Sequence, residues 1–193
     1  MTAPNTNPMF GRIRSFIGNR YFKKELSKTG RDRKLINLQE AKKIGILYNL
    51  NTVPDYEIVS EFVTQLQHDR KEVKALGYVK NKNLVNRFLP KLSYDFFSRK
   101  DVNLFFMPGQ AKVRDFIAKE FDLLIDLSLR DSLPLKYIVG LSMSLCRIGR
   151  FSEQNTDCYD LMIDIPPAAS LNEYILQITH YLNLINNDAK TSA

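Results

Sequence analysis

A seven-residue pattern occurs twice in the chain, as Phe121-Asp122-Leu123-Leu124-Ile125-Asp126-Leu127 and as Tyr159-Asp160-Leu161-Met162-Ile163-Asp164-Ile165. An apolar run of this length closed by aspartates predicts a buried strand of a parallel sheet, because both faces of such a strand are covered by helices. Six residues beyond each second Asp stands a Ser-Leu pair, Ser132-Leu133 and Ser170-Leu171. Serine is a preferred helix N-cap, since its oxygen accepts a bond from an otherwise unpaired backbone N–H. Ser170 and Glu173 have the spacing of a capping box. Two strand–loop–helix units therefore confine the chain to layered α/β architectures.

The remaining pattern agrees. Residues 43–48 form a short apolar run before Asn49, Asn51 and Pro54 and predict a buried first strand. From Asp55 to about Asp69, Ile58, Phe62, Val63 and Leu66 share one helical face, and residues 73–79 predict a second strand. A short helix is expected over 84–92 and a short strand over 94–97, followed by an apolar run at 104–107. Val113, Phe116 and Ile117 then predict a helix, 145–151 a strand, and Leu171, Ile175, Ile178, Leu182 and Ile185 a last amphipathic helix. The expected fold is α/β: a Rossmann-like, mostly parallel sheet of about five or six strands with flanking helices. One such domain is expected over 43–188, behind a basic arm at 1–42 that carries a helix and a linker, and ahead of a flexible tail at 189–193.

The arm is set apart by charge. The chain carries a formal net charge of +7, yet residues 1–43 alone carry +8, which leaves the other 150 close to neutral at −1. Within the arm, Phe10, Ile13, Phe16 or Ile17, and Tyr21 recur at three- and four-residue intervals along one helical stripe, with most cations on the remaining circumference. Arg12, Arg14, Arg20, Lys23, Lys24, Arg31, Arg33 and Lys34 are the candidates for contact with a polyanion. RNA or a ribonucleoprotein surface is the first partner expected, then a protein partner, with an anionic membrane surface behind them. A stripe that packs on the chain's own domain, leaving the charges merely solvated, explains the same pattern.

Several classes of chemistry find no purchase. The turn after the first strand, residues 49–54, has neither of the glycine patterns that cradle phosphates, so no nucleotide cofactor is expected. Cys146 and Cys158 lack a metal-binding spacing, and His68 and His180 fall in predicted helices without a second ligand nearby, so no metal is expected. Gly140-Leu141-Ser142-Met143-Ser144 approaches a nucleophile elbow but lacks its final glycine and is expected within a helix. No apolar stretch is long enough to span a bilayer, and arginines interrupt the region where a signal peptide would need its apolar core. The expected setting is cytoplasmic.

Ligands of open parallel sheets bind beyond the carboxyl ends of the strands. The candidates there are Asp126, Ser128, Arg130, Asp131, Ser132 and Asp164, provided that both repeated strands end at one crevice. An Asp at a strand end also serves simply to cap a loop.

The segment 121–151, with its Phe-Asp-Leu-Leu-Ile-Asp-Leu run, Asp131-Ser132 and Arg147-Ile148-Gly149, resembles part of the N-terminal Rossmann-like half of heptosyltransferase-type glycosyltransferases. That resemblance implies transfer from a nucleotide sugar; where such enzymes carry Gly-Asp in the first loop, this chain has Asn49 to Pro54. Over its whole length, with the basic leader and residues 43–49, the chain more closely resembles an uncharacterised family of small α/β proteins from the Bacteroidota. The resemblance implies a bacterial, cytoplasmic setting and no known activity. The functional expectation is a non-catalytic binding or scaffold protein whose arm contacts a polyanion. The alternatives are a ligand-binding or enzymatic domain acting at the carboxyl edge, and a protein that sits on a membrane surface through its first helix.

Overall fold

Lys43–Leu50 (β1) is an eight-residue strand whose interior is buried on both faces, and every other strand is organised around it. The computed structural model describes residues 8–80 and 92–185, with side chains of the first helix from residue 13 onward. Of the helix expected over 84–92 only Leu92 is described, and it lies in a turn; the rest of that helix and the tail at 189–193 lie outside the described residues. In chain order the elements are Pro8–Leu26 (α1), β1, Val53–His68 (α2), Glu72–Val79 (β2), Tyr94–Ser98 (β3), Ala111–Ala118 (α3), Leu123–Asp126 (β4), Leu133–Leu141 (α4), Cys146–Arg150 (β5), Leu161–Ile163 (β6) and Leu171–Leu184 (α5).

The six strands form one sheet in the order β3-β2-β1-β4-β5-β6, and every neighbouring pair is parallel. The chain first winds outward from β1 to β3, then returns and winds the other way through β4, so the order reverses between β1 and β4. This is the Rossmann-like α/β arrangement that the strand and helix periods predict. Parallel pairing also explains the long apolar runs, since each strand needs a crossover and each face needs a cover.

Alternation along the strands splits the core in two. Ile44, Ile46, Tyr48, Leu123 and Ile125 face a cluster built with Val59, Phe62, Val63 and Leu66 of α2 and Tyr174, Ile178 and Leu182 of α5. Leu47, Leu76, Tyr78 and Leu124 face the opposite cluster, with Val113 and Phe116 of α3, Leu135, Ile138 and Val139 of α4, and Phe22 of α1. The two cysteines lie buried in different clusters, Cys146 in the first and Cys158 in the second. Gly140 to Ser144 leads from the end of α4 towards β5, a helix-to-strand passage and so the reverse of a nucleophile elbow.

The leader does not stand off the body. Phe22 is 2% exposed and seats its ring against Gly140 of α4, where an added Cβ would run into the ring. The missing side chain is what allows the two helices to approach so closely. Arg14 Nε donates to the carbonyl of Leu104 at 2.7 Å, and its guanidinium lies over the Phe106 ring. Past the helix, Arg31 Nη2 donates to both oxygens of Asp160 and its Nη1 to the carbonyls of Ser144 and Leu145, while the Lys34 N–H donates to Leu145 O. Residues expected to form a linker are thus bonded to the rim of the sheet.

The repeat has a structural meaning. The first Asp of each copy joins the start of the neighbouring strand: Asp122 Oδ2 accepts the N–H groups of Lys42 and Lys43, and Asp160 Oδ2 accepts that of Arg147. The same two residues donate their own N–H groups to Lys43 O and Arg147 O. Phe121 and Tyr159, which open the two copies, lie on the same side of the sheet.

Candidate functional site

At the carboxyl edge of β4 the chain turns through residues 127–132 into α4, and a small polar notch lies in that turn. Asp126, Ser128, Arg130, Asp131 and Ser132 line it, together with Lys136, Arg150, Asn155 and Tyr159. Five of the six candidates from the carboxyl edge therefore come together. Asp164 does not line the notch: it is exposed, beyond the end of the three-residue edge strand β6, with β5 between it and β4. The repeat makes Asp126 and Asp164 equivalent in sequence and in the face they occupy, but one strand is central and the other is the margin of the sheet.

Asp126 is fully enclosed. Its Oδ1 accepts the Ser128 N–H at 2.9 Å and its Oδ2 accepts the Tyr159 hydroxyl at 2.7 Å. Burial raises its pKa above the ordinary carboxylate value; the bonds from Ser128 and Tyr159 oppose that rise, and neighbouring Asp131 adds to it. Tyr159 reaches Asp126 by lying flat across β5 at Gly149, where any Cβ would collide with the ring. The phenol is held protonated, because burial and the adjacent carboxylate both push its pKa well up. Asp131 accepts from Asn155 Nδ2 at 2.8 Å, and Lys136 Nζ donates to Gln154 O.

Two hydroxyls in the notch stay unsatisfied. Ser132 Oγ is buried without a partner, although Ser132 is the N-cap of α4 and its side chain makes no capping bond. Ser128 Oγ lies near enough to Asp126 to favour its charged form but makes no hydrogen bond of proper geometry. Two of the described α-helix starts are closed: Thr52 with Asp55 at the start of α2 and Ser170 with Glu173 at that of α5, each as a complete capping box, while Gln110 at the start of α3 makes no side-chain cap either. The first βα turn, where a phosphate-binding loop would sit, has spent its donors on Asp55.

The second candidate surface is α1. Most of its apolar stripe faces away from the body, with Ile13 49% exposed, Phe16 68% and Ile17 43%; Tyr21, 46% exposed, lies at the flank, where it lines a groove with Tyr137 and Leu141. The side turned inward carries Gly18 and Phe22, flanked by partly covered Arg14, Ser15, Glu25 and Leu26. Arg20, Lys23 and Lys24 lie on the outer arc among the apolar residues. Arg12 and Phe10 belong to the helix, but their side chains lie outside the described residues.

The remaining cations of the arm are placed elsewhere. Arg31 and Arg33 both approach Asp160, at 2.5 and 3.8 Å, and the Arg31 side chain is 4% exposed. Lys34 is exposed beside them. Arg147 is buried at the same rim, and burial together with the charge of Arg31 brings its pKa down to about 10. Of the eight polyanion candidates, then, Arg20, Lys23 and Lys24 form one group on α1, Arg31, Arg33 and Lys34 gather near Asp160, and Arg14 is engaged with residues 104–106.

Sequence reasoning missed Tyr159 and Asp160. Tyr159 was signalled by a difference within the repeat, where the first copy has Phe121 and the second adds a hydroxyl. Among the described residues no group of three metal-ligating side chains occurs, and no helix is long and apolar enough to cross a membrane. Compared with known proteins, residues 14–185 match a family of unknown function (DUF6913). No curated protein and no solved structure matched the chain. The family match carries neither a taxonomic setting nor a glycosyltransferase likeness.

Proposed function

The chain belongs to this family of unknown function, and we propose that it is a non-catalytic binding protein that uses the outer face of α1 to sit on an anionic lipid surface. The observation that carries this reading is the composition of that face: Ile13, Phe16, Ile17 and Tyr21 exposed, with Arg20, Lys23 and Lys24 interleaved. A helix lying in a membrane interface needs both parts, an apolar surface to insert and cations whose stems let the charge reach the headgroups. RNA would engage the cations and could stack on Phe16 or Tyr21, but it offers nothing to Ile13 and Ile17. The body then acts as the carrier of the helix, which it anchors through Phe22 and Arg31.

Co-sedimentation of the full chain with vesicles tests this. Binding is expected to vesicles of phosphatidylcholine mixed with phosphatidylglycerol, weakening with salt, and not to phosphatidylcholine alone. It should fall in Lys23→Gln/Lys24→Gln and, separately, in Phe16→Ser/Ile17→Ser. Binding to RNA with no vesicle binding, or vesicle binding indifferent to both variants, refutes the assignment.

A further inference from the structure

The geometry points to a second site that is independent of α1: the start of α4, with the Ser132 and Ser128 hydroxyls and the Arg130 guanidinium, receives the oxyanion of a phosphate group, free or carried on a small metabolite. The first backbone bond of α4 runs from the Lys136 N–H to Ser132 O, so the N–H groups of Leu133 and Leu135 have no partner within the helix, while Pro134 between them has no N–H to offer. Such an end carries partial positive charge and attracts anions. Here the residue that should cap it does not, and its oxygen is buried, unpaired and part of the notch wall; Ser132 is only 7% exposed. A buried hydroxyl without a partner is costly unless something is bound there.

Charge agrees with this. Arg130, Lys136 and Arg150 line the notch, and neither arginine makes an ion pair among the described residues. The two carboxylates present are occupied by donors of the protein: Asp126 by Ser128 N and Tyr159 OH, Asp131 by Asn155. Lys80, at the carboxyl end of β2, has its pKa lowered by burial and further by Arg130, so another cation stands near the same rim. The notch lies at the carboxyl edge of the sheet, the edge at which open parallel sheets bind ligands, between β4 and β5 and so one crevice along from the place where the strand order reverses.

The free space is about 10 Å³, enough for one oxygen atom of the size of water. The notch thus takes a single oxygen of the phosphate at the helix end, while the rest of the group stays at the mouth beside Arg130.

Thermal unfolding of the full chain in inorganic phosphate, against chloride at matched ionic strength, is the test. The midpoint should rise and saturate, by about 5 to 10 °C when phosphate is about a hundredfold above its dissociation constant. Ser132→Ala and Arg130→Gln should each reduce the rise, whereas Lys23→Gln/Lys24→Gln should leave it intact, which separates this site from the lipid-binding face. A larger rise with a sugar phosphate than with inorganic phosphate would assign the site to a metabolite, and an equal rise to the free ion. No rise over chloride, or one that persists in both site variants, overturns the proposal. Should either variant fold poorly, a chemical-shift change at the Leu133 and Leu135 amides on titrating the native protein with phosphate decides the matter in the same two directions.

Discussion

The Tyr159 hydroxyl donates to Asp126 Oδ2 at 2.7 Å, so the second copy of the repeat completes the hydrogen bonding of the first. Phe121 holds the matching position in the first copy and has no hydroxyl to offer. Replacing Tyr159 with Phe leaves one oxygen of a fully buried carboxylate unpaired, at a cost of about 1–3 kcal/mol. Urea unfolding should show a lower midpoint with an unchanged slope; an unaltered midpoint would mean that the bond contributes nothing.

Asp126 should make stability depend on pH. Its pKa is raised in the folded state by burial, so between the unfolded and folded values the native protein holds a proton that the unfolded chain has released. The stability this group contributes is therefore complete below the ordinary carboxylate range and is lost as pH rises through the folded-state value. Asp126→Asn removes the titration. The stability difference between variant and native protein should shift in favour of the variant as pH is raised, and a difference that stays flat with pH contradicts the assignment.

Phe22 and Gly140 form the joint between α1 and the body. Phe22→Ala is expected to cost about 3–5 kcal/mol, as for other buried aromatic truncations. Gly140→Ala forces a methyl into the ring and should cost about 1–3 kcal/mol. Hydrogen exchange checks the location: both changes should accelerate exchange in α1 more than in β1, whereas uniform acceleration would mean that the helix is not a distinct contact.

The two serine N-caps should respond in opposite ways. Ser170 accepts the Glu173 N–H within a complete capping box, so Ser170→Ala should lower stability by about 0.5–2 kcal/mol. Ser132 makes no such bond, and Ser132→Ala removes a buried unpaired hydroxyl, leaving stability equal or slightly higher in phosphate-free buffer. Parallel thermal melts of the two variants measure this directly.

Much of the architecture was legible because it is written in local periods. Runs such as 43–48, 73–79 and 121–127 announce strands, and Ser170 with Glu173 announces a helix start. The fate of the two strand-end aspartates was not legible, because it depends on strand order: β4 lies inside the sheet and buries Asp126, while β6 is an edge and leaves Asp164 in solvent. Asp164→Ala should accordingly change stability by no more than about 0.5 kcal/mol. The direction of the α1 stripe was hidden for another reason. Apolar spacing identifies a helical face, but here the inward face is made by Gly18, set against the Phe105 carbonyl and Leu133, and by Phe22, set against Gly140 of α4, a pairing of small and large residues that hydropathy does not weigh. Arg31 and Asp160 are 129 positions apart, beyond any local pattern.

That separation bears on how the protein is made. A ribosome adds about 5–20 residues per second, so Arg31 waits roughly 6 to 26 seconds for Asp160 to be synthesised. Until α4 and β5 have followed it out of the exit tunnel, Phe22 has no Gly140 to pack against and Arg31 no carboxylate to meet, so the leader is the first part of the chain to be made and among the last to be seated.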